Sequence, residues 1–308
     1  MDVLTPRSLT STALGSQRDW GWRGWQVRYT FLRAVEPRVD APPMLLLHGF
    51  GSSLSQWQAN LQPLSQHHTV YALDLLGFGA SEKASAAYDV AFWVEQVHDF
   101  WRSLIHTPII IIGHSLGAAV ALAAAAKYPD MAERLVLLTL PPARQELISG
   151  KMVELALGAE RMFTSPLILG PVFALVRSPR LIRAVLRGLV YHNRDFVTDE
   201  LVNTFLTPIL DRDAARVFYR LAKSRTRTDY SPEIRVLLPQ VQRPILLLWG
   251  ECDRVVPLVQ GASMPDLNPQ LRLVVIPDGG HCLYDECADC VNQEILTWIG
   301  QTSLDADR

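Results

Sequence analysis

The chain lacks an excess of positive charge, a long apolar run and an apolar leader. Its 308 residues carry a formal net charge of −2, whereas a protein that binds nucleic acid is expected to be basic. No stretch supplies the roughly 18 uncharged apolar residues of a membrane span. The N-terminal sequence MDVLTPRSLTSTALGSQRDW has no apolar core of a signal peptide. We therefore predict a cytoplasmic protein without a nucleic-acid partner.

Cysteine is also scarce. All four cysteines, Cys252, Cys282, Cys287 and Cys290, follow residue 250, and we expect reduced thiols. Together with His281, the last three could resemble a zinc site. Their C-x4-C-x2-C spacing is not a familiar ligand pattern, so we predict no metal and no organic cofactor.

What the chain does contain is an α/β pattern. Hydrophobic residues make up 49% and charged residues 19%, which is ordinary for a soluble enzyme. Short β-branched or leucine-rich segments alternate with amphipathic ones, which predicts a parallel sheet flanked by helices. The predicted strands are residues 44–47, 69–74, 109–112, 134–140, 244–249 and 271–276. Residues 20–31 predict a hairpin at the sheet edge.

The alternation stops between residues 143 and 236, where only helical stretches broken by Pro, Gly and Asp remain. We predict a helical cap inserted into the sheet domain. The predicted organisation is a disordered arm (1–19), a first core part (20–142), the cap (143–236), a second core part (237–300) and a tail (301–308). Predicted helices include residues 55–66, with Ser55 as N-cap, a helix capped by Asp89, and residues 288–299.

The most informative stretch is IIIIGHSLG, residues 109–117. A buried strand, a G-x-S-x-G turn and an alanine-rich helix form the strand-to-helix corner called a nucleophile elbow. The tight turn predicts a strained backbone at Ser115 and no room for a side chain at Gly113 or Gly117. The Ser115 hydroxyl is then exposed at the positive end of the helix.

A serine nucleophile needs a base, and the base needs an orienting carboxylate. In this architecture the chain order is Ser, acid, His. Asp253 follows the strand PILLLW, and His281 follows LRLVVI after two glycines. We predict a Ser115–Asp253–His281 triad, with Glu251 and Asp278 as less favoured acids.

A tetrahedral intermediate also needs two donors for its oxyanion. The loop His48-Gly49-Phe50-Gly51 predicts one donor, the N–H of Phe50, and the N–H of Leu116 is the other. We interpret His48 and His114 as structural residues that hydrogen-bond the loop backbone. Asp74-x-x-Gly-x-Gly-x-Ser81 lacks a Walker lysine; we expect Asp74 to hold the neighbouring loop.

The motifs HGFGSS, GHSLG, GECDRVVP and GGHC resemble the oxyanion loop, elbow, acid loop and histidine loop of the α/β-hydrolase superfamily, over about residues 42–140 and 241–300. This resemblance implies an α/β-hydrolase fold, with a mostly parallel central sheet, flanking helices and an inserted cap. It also implies a serine esterase or lipase.

A closer resemblance is carried by HGFGSSLSQWQANLQPLSQHHTVYALDLLGFGASEK and YDVAFWVEQVHDFW. These segments are similar to the branch containing chlorophyll dephytylase and pheophytinase, which cleave the phytyl ester of chlorophyll-type pigments. The resemblance implies a cyanobacterial or plastid origin, chlorophyll or pheophytin as substrate, and access at the thylakoid membrane. That branch favours Asn before the serine and Gly-Gly after the leucine, where this chain has His114 and Gly117-Ala118.

The cap segment 147–192 is apolar and basic. Arginines recur at three- and four-residue steps in RLIRAVLRGLV, residues 180–190, so they share one helical face. Such a helix either rests on an anionic membrane or covers an acyl pocket with its arginines in solvent. The six basic and two acidic positions counted are Lys151, Arg161, Arg177, Arg180, Arg183, Arg187, Glu154 and Glu160.

These observations predict a carboxylic ester hydrolase that acts on a hydrophobic ester through an acyl-enzyme. The alternatives are a generic lipid or small-ester carboxylesterase, and a non-catalytic protein of the same fold that binds a pigment, lipid or partner.

Overall fold

A central sheet organises the computed structural model, which describes residues 14–147 and 166–306. In this described part the sheet has eight strands in the order β1-β2-β4-β3-β5-β6-β7-β8. The strands are β1 Ser16–Trp22, β2 Trp25–Leu32, β3 Met44–Leu47, β4 Val70–Leu73, β5 Ile109–His114, β6 Ala132–Leu138, β7 Ile245–Gly250 and β8 Leu271–Ile276. The six strands from β3 onward pair in parallel, so their carboxyl ends lie along one edge.

The first two strands form an antiparallel hairpin at the sheet edge, which confirms the predicted hairpin. The predicted disordered arm is wrong for residues 16–19, because β1 already begins at Ser16. Residues 16–19 are polar and show no apolar alternation, because an edge strand that faces solvent does not need it. The sequence therefore carries no strand pattern there. Residues 1–13 lie outside the described residues.

The four isoleucines of β5 are fully buried. Ile109 and Ile111 belong to one apolar core, and Ile110 and Ile112 to the core on the other face. Alternate side chains of a strand point to opposite faces, so a continuous isoleucine run fits a sheet covered on both sides. This confirms the predicted middle strand.

Helices cover both faces. Asp89 caps α2 by accepting the N–H of Phe92 at 2.8 Å, as predicted. The described α-helices are α1 Gln58–Leu64, α2 Val90–Leu104, α3 Leu116–Lys127, α4 Arg144–Leu147, α5 Pro166–Val176, α6 Pro179–Val185, α7 Asp199–Ile209, α8 Ala214–Arg225, α9 Ile234–Leu237, α10 Leu283–Glu286 and α11 Ala288–Ala306. A π-helical turn, Leu186–Val190, continues α6.

Two predicted helices have different ends. The segment predicted as a helix from Ser55 begins as a 3-10 turn, Leu54–Trp57, before α1, and the Ser55 hydroxyl instead contacts that of Ser53. Helix α11 runs past the predicted end at residue 299 to Ala306, so the predicted tail is helical through residue 306. Residues 307–308 lie outside the described part.

The described elements between β6 and β7 are all helices or helical turns joined by loops, with α4 before residue 148 and α5–α9 after residue 165. Phe173 of α5 packs on Phe218 of α8, so the helices contact each other. The predicted basic positions Lys151 and Arg161, and the acids Glu154 and Glu160, lie outside the described residues. The exact domain boundaries stay predictions. Among the described helices, none is long and apolar enough to cross a bilayer.

Candidate active site

Ser115 lies at the sharp turn between β5 and α3. Its backbone has φ +53° and ψ −115°, in the left-handed half of the map that a residue with a Cβ adopts only under strain. The turn is held because the N–H of Ser115 donates to the carbonyl of Leu138 at 2.9 Å. The geometry is that of the predicted elbow.

The flanking glycines fit a space that admits no side chain. A Cβ on Gly113 would lie 2.3 Å from the carbonyl oxygen of Gly117, and a Cβ on Gly117 would lie 2.2 Å from that of Leu47. Both obstacles are backbone atoms, which cannot rotate away. The two glycines therefore let β5, α3 and the end of β3 approach closely enough to build the turn.

His281 and Asp253 meet at the carboxyl edge of the sheet, after β8 and β7. The Nδ1 of His281 lies 2.8 Å from Oδ2 of Asp253, and both residues are buried. The other carboxylate oxygen of Asp253 accepts the N–H groups of Val255 and Val256, each at 2.8 Å. Because the carboxylate accepts from Nδ1–H, Nε2 is the basic nitrogen of the imidazole.

The alternative acids occupy other positions. Glu251 is exposed, and Asp278 is exposed with an oxygen 4.0 Å from Nε2 of His192. Of the three candidates, Asp253 is the carboxylate hydrogen-bonded to His281.

His114 connects the elbow to the histidine loop. Its Nε2–H donates to the carbonyl oxygen of His281 at 2.9 Å, and the two rings lie 4.7 Å apart. Burial lowers the pKa of His114 well below its usual value, and the neighbouring His281 lowers it further. The hydrogen bond therefore joins the end of β5, directly before Ser115, to the loop that carries His281.

The predicted oxyanion loop lies directly against the elbow. A Cβ on Gly49 would be 2.7 Å from Nδ1 of His114 and 3.3 Å from Cβ of Ser115. Gly51 has φ +70°, a conformation that favours glycine. Between them, Phe50 has an exposed ring that packs edge-on against Phe78.

Leu116 is the first residue of α3. The N–H groups of a first helical turn have no acceptor within their own helix. The N–H of Leu116 is therefore a donor next to the serine, which is where the sequence predicts one.

His48 supports the same loop from within the core. Its Nδ1–H donates to the carbonyl of Gly49 at 2.8 Å, and its Nε2 accepts the N–H of Leu75 at 3.0 Å. Burial lowers the pKa of His48 to about 4, so the ring is neutral at pH 7. The interpretation of His48 and His114 as residues that bond loop backbone agrees with these contacts.

Asp74 holds the neighbouring loop, as predicted, and also the loop that follows its own strand. Its carboxylate accepts the N–H of Leu54 at 2.6 Å and that of Ala80 at 2.7 Å. Burial raises the pKa of Asp74 to about 6, although both N–H donors act to lower it.

Sequence reasoning missed Glu286, which ties the histidine loop to the cap. Its carboxylate accepts the N–H of Gly280 and the N–H of His192 at 3.0 Å. The N–H of His281 itself donates to the carbonyl of Val190 at 2.8 Å. No local pattern identifies the two contacts with the cap, because His192 and Val190 lie about ninety residues before their partners Glu286 and His281 in the chain.

One group among the described residues has ligand atoms close enough to share a metal ion. It consists of His192, Cys252 and Asp278, whose donor atoms lie within 4.8 Å of one another. Asp278 is exposed and the other two are half-buried. All four cysteines are free thiols: Cys252, Cys282, Cys287 and Cys290. The zinc-like set considered from the sequence, the last three cysteines with His281, differs from this group.

The elbow, the buried His–Asp pair and the parallel sheet define the class of this protein. A model of the alpha/beta hydrolase family matches residues 44–293, most of the chain. The chain therefore belongs to the alpha/beta hydrolase family, and the predicted fold class is confirmed.

Individual relatives are distant. The chain is 28% identical over 275 residues to the magnesium-chelatase 30 kDa subunit of Rhodobacter capsulatus, which covers 85% of this chain and 88% of that protein. It is 25% identical over 266 residues to 2-(acetamidomethylene)succinate hydrolase of Mesorhizobium japonicum, covering 86% and 90%. The solved structure of a membrane phospholipase A, a bacterial virulence factor, superposes with a TM-score of 0.74 and 26% identity, covering 94% of this chain and 87% of that one.

Proposed function

We propose that the protein is a serine esterase that cleaves a carboxylic ester with a large apolar group. One observation carries this proposal: a buried Nδ1···Oδ2 contact of 2.8 Å between His281 and Asp253, at the sheet edge that also presents the strained Ser115. A strained serine, an oriented imidazole and a buried carboxylate are the arrangement that activates a hydroxyl.

In the proposed reaction, Ser115 Oγ attacks the ester carbonyl while Nε2 of His281 takes its proton. Asp253 holds the imidazole and stabilises the imidazolium that forms. The N–H groups of Phe50 and Leu116 bind the oxyanion, where each donor is worth about 2.7–4 kcal/mol. His281 then gives the proton to the departing alcohol, and water, activated by the same nitrogen, releases the acid and restores Ser115.

The apolar character of the substrate is supported by the cap. Its helix α5 has no charged residue between Pro166 and Val176, and the chain resembles a membrane phospholipase A in structure. We propose the phytyl ester of a chlorophyll-type pigment as the specific substrate. The sequence resemblance to the dephytylase branch supports it, and a relative bears the name of a magnesium-chelatase subunit.

Hydrolysis of a small ester is the second candidate. The similarity to 2-(acetamidomethylene)succinate hydrolase favours it, because that name describes action on a small molecule.

A fluorophosphonate probe tests the nucleophile. We expect covalent labelling of the wild type at Ser115, no labelling of Ser115→Ala, and full labelling of Ser103→Ala, which changes an exposed serine on α2. Labelling that persists in Ser115→Ala would contradict the proposal by assigning the nucleophile to another residue. No labelling of the folded wild type would contradict it and favour a binding protein.

An ester panel tests the substrate. It runs from p-nitrophenyl acetate through long-chain p-nitrophenyl esters to chlorophyll a and pheophytin a. Release of phytol by the wild type and not by Ser115→Ala supports the pigment ester. Turnover restricted to the shortest esters would overturn the large apolar substrate and establish the second candidate.

A further inference from the structure

The cap exposes large apolar side chains to solvent. We call the segment 166–190, comprising α5, α6 and the π-helical turn, the cap face. Leu167 is 87% exposed and Leu175 is 62% exposed, although large aliphatic side chains are normally buried. The exposed large apolar residues of the cap face are Leu167, Ile168, Val172, Leu175, Leu181, Val185 and Leu189.

Six of these seven residues form two stripes along the helices. Ile168, Val172 and Leu175 recur at steps of four and three, which places them on one side of α5. In the second part, Leu181, Val185 and Leu189 recur at steps of four. Contiguous exposed apolar surface marks a site of interaction.

The cap face has an inner side that is already occupied. Ile182 and Leu186 are buried in the core beside the sheet, and Phe173 packs on Phe218. The two exposed stripes are therefore not needed to attach these helices to the rest of the protein, because other residues make that contact.

The charge of the cap face is of one sign. Residues 166–190 contain the four arginines Arg177, Arg180, Arg183 and Arg187 and no Asp or Glu, in a chain whose formal net charge is −2. Arg183 contacts Asp199, and Arg177, Arg180 and Arg187 are exposed. Apolar residues with a cationic border fit an anionic lipid surface.

A second copy of the chain fits this surface less well, because pairing two cap faces would bring eight arginines together without acids of the same segment. Insertion across a bilayer is also excluded for α5. Its 11 residues extend about 16 Å at 1.5 Å per residue, which is half the roughly 30 Å of a hydrocarbon core.

We infer that the cap face docks on the surface of an anionic membrane, with α5 lying in the interface and the arginines contacting lipid headgroups. The inference rests on the proposed function, which it deepens: the ester would be taken from the lipid phase.

Vesicle flotation tests the docking. The probes are ether-linked phosphatidylcholine vesicles with and without phosphatidylglycerol, and the protein carries Ser115→Ala, so that binding is scored without hydrolysis. We expect binding to the anionic vesicles, weaker binding to the neutral ones, and loss at high salt, where charges are screened.

Matched variants locate the contact. We expect Leu167→Asn with Leu175→Asn, and separately Arg177→Gln with Arg180→Gln, to weaken binding by about tenfold, the effect of roughly 1.4 kcal/mol. Val39→Asn with Val259→Asn removes exposed valines elsewhere, and Arg235→Gln with Arg243→Gln removes exposed arginines outside residues 166–190. Both controls should bind normally.

Three results from the vesicle and sedimentation experiments would overturn the docking. They are equal binding to neutral and anionic vesicles, normal binding by the cap-face variants, and a dimer in sedimentation that Leu167→Asn with Leu175→Asn dissociates. A large fall in the melting temperature of that variant would also overturn it, because the face would then be covered by the chain itself. Turnover of a soluble ester by the wild type is measured separately, so failure of docking and failure of the esterase proposal are distinguished.

Discussion

The carboxylate of Glu286 holds the main chain of Gly280, the residue directly before His281. Glu286 accepts the Gly280 N–H and also the N–H of His192 in the cap. Burial raises its pKa, although these N–H donors act to lower it. The loop that presents the proposed base is thus fixed by a residue that contacts neither Ser115 nor Asp253 in the described hydrogen bonds.

Glu286→Ala should lower kcat for a soluble ester by about tenfold and change KM little. The reason is that a loosened Gly280 spreads His281 over several orientations, and losing a hydrogen bond to a charged group costs about 1.5–3 kcal/mol. Glu286→Gln keeps one acceptor oxygen and should retain intermediate activity. Steady-state kinetics beside Asp289→Asn, an exposed acid of α11, provide the measurement. Equal rates for Glu286→Ala and the wild type would show that the loop needs no such support.

His114→Ala should reduce kcat/KM by about three- to tenfold. It removes the hydrogen bond to the carbonyl of His281, worth about 0.5–1.5 kcal/mol, and the ring that lies against the imidazole. His106→Ala, which changes an exposed histidine, is the control. If both variants have wild-type kinetics, the hydrogen bond between His114 and the carbonyl of His281 does not contribute to catalysis.

Gly117→Ala should lower the free energy of unfolding by about 3 kcal/mol or more, because the new methyl group would meet the carbonyls of Leu47 and His48. Gly300→Ala is the matched control. A Cβ at Gly300 meets nothing within 4 Å, and alanine is favoured over glycine inside a helix by up to about 1 kcal/mol. Urea unfolding measures the free energy of unfolding of both variants. Similar values would contradict the close approach of Gly117 to the carbonyl of Leu47.

Asp285→Asn should become relatively more stable than the wild type as the pH rises. Burial raises the pKa of Asp285 to about 7, above the value of about 3.9 in an unfolded chain. A raised pKa of a carboxyl group means that the folded state favours the protonated form. Its stabilising contribution is therefore complete below about pH 4 and is lost between about pH 4 and pH 7.

Melting temperatures of the wild type and Asp285→Asn across pH 4 to 8 test this sign. Titrating groups that do not interact with Asp285, including His48 and Asp74, are present in both proteins and cancel in the difference. The difference should grow in favour of Asn up to about pH 7 and then level off. A difference that shrinks with pH would mean that the hydrogen bond from the Tyr191 hydroxyl, 2.7 Å from Oδ2, outweighs burial.

Much of the fold, the turn at Ser115 and the contact between Asp253 and His281 could be predicted from sequence signals. The isoleucines of β5, the glycines at 113 and 117 and the chain order Ser115, Asp253, His281 are all visible within short segments. The contacts of Glu286 and Val190 could not be predicted, because they join the cap to the histidine loop across about ninety residues. Helix α11 was predicted too short because Gly300, a poor helix former, lies within it.

The bond from His281 N–H to the carbonyl of Val190 has a mechanical consequence. Val190 ends the π-helical turn of the cap. Two residues later, the N–H of His192 donates to the carboxylate of Glu286. A cap that swung away from the sheet as a rigid lid would pull on the loop that carries the base. If the cap moves to admit the proposed substrate, we expect that motion elsewhere in the cap, because residues 190–192 are bonded to the histidine loop and its support.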